Sequence, residues 1–141
     1  MAEFQTKVGA PKPGLPGSIV NPKRFTAAIT DSTLKPGDFA FKVASEYGQD
    51  VYIVSKTGNY LRGIVKHGFM PYTKGATIDI LVSGAIYAAI PDGQTPSSGQ
   101  AVLCDPATGE VTYGEAGDPN DTGWKVLSCD QGNGLVIYEK L

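Results

Sequence analysis

Few side chains in this 141-residue sequence could do acid–base, metal or redox chemistry: a single histidine, His67, and two cysteines, Cys104 and Cys129. One histidine cannot form a multi-histidine metal site, and no G-x-S-x-G motif supplies a nucleophile for it. The cysteines lack C-x-x-C spacing, so we expect buried free thiols, with a disulfide as the alternative if their strands are neighbours. We therefore predict that the protein is not an enzyme and that it has no cofactor and no metal site.

An oxygen-rich stretch at residues 118–123 is the only other candidate for metal chemistry. It does not match the EF-hand loop, because no glutamate follows at the position of the bidentate ligand. The glycines of residues 132–134 are followed by a β-type run rather than a helix, so they do not form a phosphate loop. We interpret both stretches as surface turns.

The composition determines which elements can exist. The chain contains 18 glycines and 10 prolines, about a fifth of its residues, which disfavours long helices. It is 41% hydrophobic with a net charge of −2, so a folded domain is expected. No apolar run is long enough to span a membrane, and the N-terminus does not resemble a signal peptide. The acidic balance also disfavours nucleic acid as a partner.

Short β-type runs separated by turn residues fill the chain from residue 25 onward, typical of an antiparallel barrel or sandwich. The predicted strands are 25–30, 39–43, 51–54, 60–65, 77–82, 84–90, 101–104, 110–113, 124–129 and 135–138. Residues 1–24 differ, because prolines alternate there with glycines and keep the chain extended. We predict an all-β fold, a compact antiparallel β barrel or sandwich at 25–141, preceded by an extended N-terminal arm at 1–24.

Charge divides along the same boundary. Residues 1–24 carry Lys7, Lys12, Lys23 and Arg24 against Glu3, whereas residues 91–141 have a net charge of −6. An uneven but ordinary solvated surface is one interpretation. The other is that the basic arm and the acidic part bind different partners, or bind each other between copies of the protein.

Several stretches resemble the structural cement proteins of tailed bacteriophages. The resemblance starts with the first eight residues and the Pro/Gly-rich arm that ends at residues 17–22. It continues through Phe25-Thr26-Ala27, the turn at residues 35–40 and the strand at 61–67. The stretches 77–82, 84–88, 99–102 and 108–111 are similar to the barrel strands of that family. The matches are individually weak, and their order along most of the chain carries the resemblance.

The resemblance implies a non-enzymatic capsid decoration protein, made in the host bacterial cytoplasm and located on the outer surface of the virion capsid. Its implied partners are the major capsid protein, whose neighbouring subunits it would bridge, and further copies of itself in a homotrimer. It implies no nucleic acid and no membrane partner. The candidate residues for binding the capsid or a subunit are Phe4, Lys7, Val8, Lys12, Leu15, Ile19, Lys23 and Arg24.

A carbohydrate- or receptor-binding β domain of a phage tail or adhesin is the alternative function. Exposed aromatic rings would then stack on sugars. The candidate rings are Tyr47, Tyr52, Tyr60, Tyr72 and Tyr113.

Overall fold

The structure, a computed structural model, describes residues 12–15, 23–29, 34–42, 53–58, 60–67 and 77–141. The strands in these ranges are β1 (Lys23–Ile29), β2 (Phe39–Lys42), β3 (Ile53–Ser55), β4 (Tyr60–Val65), β5 (Thr77–Ala89), β6 (Ala101–Cys104), β7 (Val111–Gly114), β8 (Asp121–Asp130) and β9 (Leu135–Lys140). One 3-10 turn, Gln131–Asn133, is the single helical element in the described part of the chain. The all-β fold predicted from the composition is confirmed.

The described strands form one continuous sheet in the order β1-β3-β2-β4-β5-β9-β8-β6-β7, and β1 also pairs with β5. The first five strands are therefore linked in a closed cycle, β5-β1-β3-β2-β4 and back to β5. In a cycle with an odd number of strands, neighbours cannot all run antiparallel, so at least one pairing has to be parallel. That pairing is β1–β3, and the other pairings between described strands are antiparallel.

The longest strand, β5, belongs to both halves of the sheet. Its first half pairs with β1 and β4, and its second half pairs with β9 from Gly84 onward. We predicted a turn at Ser83-Gly84, and this expectation is wrong because the strand continues through it. Gly84 has φ +118°, a conformation that glycine adopts without steric cost. The strand therefore passes from one half of the sheet to the other without ending.

Two buried clusters form the core, and neighbouring residues of one strand belong to different clusters. The larger contains Phe39, Phe41, Ile64, Leu81, Ile86, Ala88, Val102, Cys104, Trp124, Val126, Val136 and Tyr138. The smaller contains Leu34, Ala40, Val54, Val65, Ile78 and Ile80. Phe39-Ala40-Phe41 of β2, Ile64-Val65 of β4 and Ile80-Leu81 of β5 are the short apolar runs in which adjacent buried residues contribute to different clusters, so the sheet is covered on both faces there.

Three pairs of consecutive predicted strands are separated by short turns and are expected to form hairpins: 51–54 with 60–65, 101–104 with 110–113, and 124–129 with 135–138. Two of these hairpins are present. Strands β6 and β7 pair directly, as do β8 and β9. The third, around residues 55–59, is not a hairpin, because β2 lies between β3 and β4 and pairs with both. A strand buried on both faces needs hydrogen-bonding partners at both edges, and β2 obtains one from each side.

Candidate functional site

The structure describes part of the predicted binding set. Lys12 and Leu15 lie in a short segment against the β strands, and the backbones of Lys23 and Arg24 form the start of β1. The remaining predicted residues lie outside the described ranges: Phe4, Lys7, Val8 and Ile19. The candidate site is therefore built from the described segment 12–15, which we call the clip, and from the surfaces around it.

The clip is held on the outer edge of β5 by main-chain hydrogen bonds. The amide of Gly14 donates to the carbonyl of Tyr87 at 2.6 Å, and the amide of Tyr87 donates to the carbonyl of Leu15 at 2.8 Å. The amide of His67 donates to the carbonyl of Gly14 at 3.0 Å. Tyr87 pairs on its other side with Ile137 of β9, so the clip occupies the edge that β9 leaves open.

Glycine is required at position 14 for two separate reasons. Its φ is +87°, which costs an L-residue about 1–2 kcal/mol. A Cβ at this position would also collide with the backbone nitrogen of His67 and would lie 2.9 Å from the Cβ of Pro36. The clip is buried at Gly14, so the close approach of the two backbones depends on the missing side chain.

A shallow groove runs beside the clip. It has a volume of about 400 Å³ and is lined by Lys12, Pro13, Lys35, Pro36, Asp38, His67 and Ala89. Lys12 and Lys35 are exposed, whereas Asp38 is half-buried, so the two lysines give the rim of the groove its basic character. Lys12, the first described residue of the clip, is among the residues that line the groove.

Asp38 closes the turn beneath this groove. Its carboxylate accepts a hydrogen bond from the amide of Lys35 at 2.9 Å, and its own amide donates to the carbonyl of Lys35 at 3.1 Å. Burial raises the pKa of Asp38 above its ordinary value, against the opposing effects of that hydrogen bond and of nearby lysines. The carboxyl group stabilises the turn on which the clip rests.

Lys23 and Arg24 lie inside the sheet rather than on a separate arm. Lys23 pairs with Ser83 and Arg24 pairs with Leu81, with a register shift between the two pairs. The element β1 therefore begins at Lys23, two residues before the start of the predicted β domain.

The residues considered for chemistry are dispersed. His67 is exposed just after β4, Cys104 is buried and Cys129 is half-buried, and both cysteines are free thiols. Within the described ranges, no cluster of three or more potential metal ligands is present. The carboxylates of Asp118 and Asp121 instead accept amide hydrogen bonds inside their own loop, from Asn120, Gly117 and Gly123.

The tyrosines proposed to stack on sugars do not form a described platform. Tyr60 is 60% exposed, whereas Tyr113 is half-buried and hydrogen-bonded to Tyr138. The others, Tyr47, Tyr52 and Tyr72, lie outside the described residues.

One feature of the surface was not predicted from the sequence. Strand β7 is the last strand of the sheet, and the exposed residues Glu110 and Glu115 flank it. A run of β-forming residues, Val111-Thr112-Tyr113, that lacks lysine and proline was the available signal, but strand order cannot be inferred from it.

The described residues also contain no helix long and apolar enough to cross a membrane.

The fold and this surface define an all-β structural module whose N-terminal segment is clipped to its own sheet. Residues 4–140 match the family described as structural cement protein (E217 gp24/Pam3 gp6). The chain belongs to this family of phage cement proteins, and no curated protein matches it. It is a viral structural protein of the bacteriophage capsid, with a cement role in association with that capsid.

Proposed function

We propose that this cement protein binds the outer surface of the phage head and bridges neighbouring major capsid subunits as a homotrimer. In this proposal the part of the predicted 1–24 arm that precedes β1 makes the contacts, and the β domain, predicted at 25–141, holds it in place. Its action is mechanical rather than catalytic, since the family has a structural role.

The observation that carries the proposal is the clip. Three main-chain hydrogen bonds fix Gly14 and Leu15 to β5 and to the segment after β4, so the chain leaves the domain at a defined point beside a basic rim. An extended segment of residues 1–11 would reach at most about 36 Å from that point. We propose that these residues bind the capsid, with Phe4 and Val8 as apolar anchors and Lys7 as a basic contact.

Two of the remaining residues take a supporting role in the proposal. Leu15 accepts a hydrogen bond from Tyr87 and so fixes the root of the arm, and Lys12 marks the point where the arm leaves the clip. Lys23 and Arg24 lie in β1, and we propose that they add positive charge near that root. For Ile19 we keep the proposed role of an apolar anchor.

Many copies on one lattice would bind firmly although each contact is weak. Each additional engaged arm binds at a high effective concentration, because the domain is already held by its other contacts. A homotrimer would present three arms on a rigid base. We expect native mass spectrometry and light scattering to give the mass of three chains, and a monomeric mass would contradict this part of the proposal.

Deletion of residues 1–11 tests the proposal, because it leaves the clip intact. We expect the shortened protein to keep its circular dichroism spectrum and melting temperature. It should no longer sediment with purified expanded heads that lack cement protein, whereas the full chain should. The proposal is wrong if the shortened and full chains bind these heads equally well.

A longer deletion, of residues 1–15, separates reach from anchoring. It removes the hydrogen bonds to Tyr87 and His67 and should lower stability as well as binding. We expect the chain that lacks residues 1–11 to fold normally but not to bind heads, and the chain that lacks residues 1–15 to be less stable as well. This pair of results would support a binding role for residues 1–11 and an anchoring role for the clip.

A further inference from the structure

The outer edge of β7 is open, and its backbone groups are oriented to pair with another strand. The amide of Asp105 donates to the carbonyl of Glu110 at 2.9 Å, so this pair is hydrogen-bonded across the hairpin. Hydrogen-bonded and non-hydrogen-bonded pairs alternate in an antiparallel ladder. Val111, opposite Cys104, and Tyr113, opposite Val102, therefore direct their N–H and C=O groups away from β6.

The opposite strand confirms this orientation. The amide of Cys104 donates to the carbonyl of Asn120, and the carbonyl of Val102 accepts from the hydroxyl of Thr122. Both residues of β6 thus direct their backbone groups toward β8, so their partners in β7 must direct theirs outward. Among the described residues, none accepts from or donates to the outer side of β7.

Strand β7 also lacks the features by which exposed edges are normally protected. Such edges usually carry lysine, proline or a β-bulge. The sequence Val-Thr-Tyr-Gly has neither residue, and its pairing with β6 has no register shift, in contrast to that of β6 with β8. An unprotected edge in a stable sheet is a site where an extended segment can be added.

The surroundings of β7 indicate which kind of segment fits. A groove of about 270 Å³ lies beside it, with Ile90, Pro91 and Val111 among its apolar lining residues and with Asp38, Lys56 and Glu110 as its charged ones. Glu110 and Glu115 are exposed at the two ends of the strand. An added strand would thus place an apolar side chain in the groove. It would meet Glu115 at one end and, at the other, two acidic groups against the single lysine.

A second β7 is a poor occupant. Two copies pairing antiparallel about Thr112 would place Glu110 opposite Gly114 and Glu115 opposite Gly109 of the other copy. Residues 110–115 contain no lysine or arginine, so a second β7 brings no positive charge to these glutamates. An extended segment with basic side chains has the complementary charge.

We propose that the edge of β7 binds an extended, basic segment of a major capsid subunit as an additional strand. This inference rests on the proposed function and deepens it, because bridging requires two separate contact surfaces. The arm would engage one capsid subunit and β7 the next.

Val111→Pro tests the edge. Val111 is the first residue of β7, and its amide has no partner among the residues that the structure describes, so proline is compatible with that part of the fold. Proline removes the outward donor and adds bulk at the edge. Val111→Ala is the matched control, since it shortens the side chain but keeps the amide.

We expect Val111→Pro to bind cement-free expanded heads about tenfold more weakly than the native chain, the effect of one lost main-chain hydrogen bond or slightly more. Val111→Ala should bind within about twofold of the native chain, because it keeps that hydrogen bond. Equal binding by Val111→Pro and the native chain would overturn the inference and leave the proposed function standing. Failure of the native chain itself to bind heads would instead contradict the proposed function.

A second variant makes the test independent of proline. Glu110→Lys combined with Glu115→Lys should weaken binding to heads and reduce its salt dependence. Ser128→Lys, a charge change at an exposed position of β8, which β6 separates from β7, should do neither. Light scattering without heads identifies the occupant. An unchanged oligomeric mass for Val111→Pro supports a capsid segment. A lower mass means that β7 holds another copy of this chain, and the inference is then wrong.

Discussion

The phenolic oxygens of Tyr113 and Tyr138 lie 2.6 Å apart, and this hydrogen bond joins the edge strand β7 to β9, although β6 and β8 separate these strands in the sheet. The ring of Tyr138 is 1% exposed and stacks on Phe39 at a centroid distance of 5.9 Å. Burial raises the pKa of both phenols, so both stay protonated at neutral pH. The bond thus joins the edge strand to a residue of the larger core cluster.

This bond predicts an asymmetric pair of variants. Tyr113→Phe leaves the buried hydroxyl of Tyr138 without its partner and should lower the free energy of unfolding by about 1–3 kcal/mol. Tyr138→Phe should cost less, because the half-buried hydroxyl of Tyr113 can reach water. Urea unfolding of both variants and of the double variant measures the difference. A double variant that is less stable than either single one would contradict this account.

Gly14→Ala should lower the free energy of unfolding by more than the cost of its positive φ alone, because the added Cβ would also collide with the backbone of His67. Gly93→Ala is the matched control, because Gly93 also has a positive φ but nothing lies within 4 Å of the added Cβ. We expect about 1–2 kcal/mol for the control and a larger loss for Gly14→Ala. The latter should also accelerate hydrogen exchange at the Tyr87 amide. Equal losses in the two variants would show that the close approach to His67 does not matter.

Asp38 should make the protein less stable as the pH rises. Its folded-state pKa is raised above the ordinary value of 3.8, so the folded protein holds the proton more tightly than the unfolded chain. The stabilisation from protonated Asp38 is complete below that value and is lost as the pH rises through the folded pKa. Asp38→Asn removes this dependence, while the amide oxygen can still accept from Lys35.

The measurement is the difference in unfolding free energy between the native chain and Asp38→Asn from about pH 4 to about pH 7. We expect the native chain to lose stability relative to the variant over that interval. The difference cancels the contribution of Asp121, whose pKa is lowered chiefly by the amide of Gly123 and which acts in the opposite direction at lower pH. A difference that does not change with pH would contradict the assignment to Asp38.

The two cysteines should differ in reactivity. Burial raises the pKa of Cys104 to about 12, and the charge of Asp105 adds to the effect, so its thiol is protonated at pH 8. Cys129 is half-buried and donates weakly to Gln131 at 3.4 Å. We expect Ellman's reagent to label Cys129 in the folded protein and Cys104 only after denaturation. In Cys129→Ser, rapid labelling of the native protein would contradict this prediction.

Local sequence predicted the elements whose determinants are local. The bounds of β4 and β6 match the predicted runs at 60–65 and 101–104, because apolar β-forming residues there are bounded by turn residues. Strand order depends on distant partners, and this is why the position of β2 between β3 and β4 was missed. The continuation of β5 through Gly84 was missed for the same reason, since one residue serves equally well in a turn or in a bent strand.

The candidate site shows the same division. The composition of residues 1–24 predicted a binding arm, and capsid binding by its residues stays a prediction. Of those residues, the structure places Lys12 and Leu15 in the clip. The docking of Gly14 on Tyr87 could not be predicted from local sequence. It depends on which edge of β5 remains free, and this is determined by the pairing of β5 with the distant strand β9. The open edge of β7 likewise follows from its place at the end of the sheet, which no single stretch of sequence encodes.

The clip also determines how the molecule would carry tension. A pull on residues 1–11 would enter the domain at Tyr87, in the strand that both halves of the sheet share. Force applied along β5 loads its ladders to β1, β4 and β9 in shear, so that many hydrogen bonds must break together rather than one after another. If the arm binds the capsid as proposed, swelling of the shell would thus be resisted by the strand with the most neighbours among those that the structure describes.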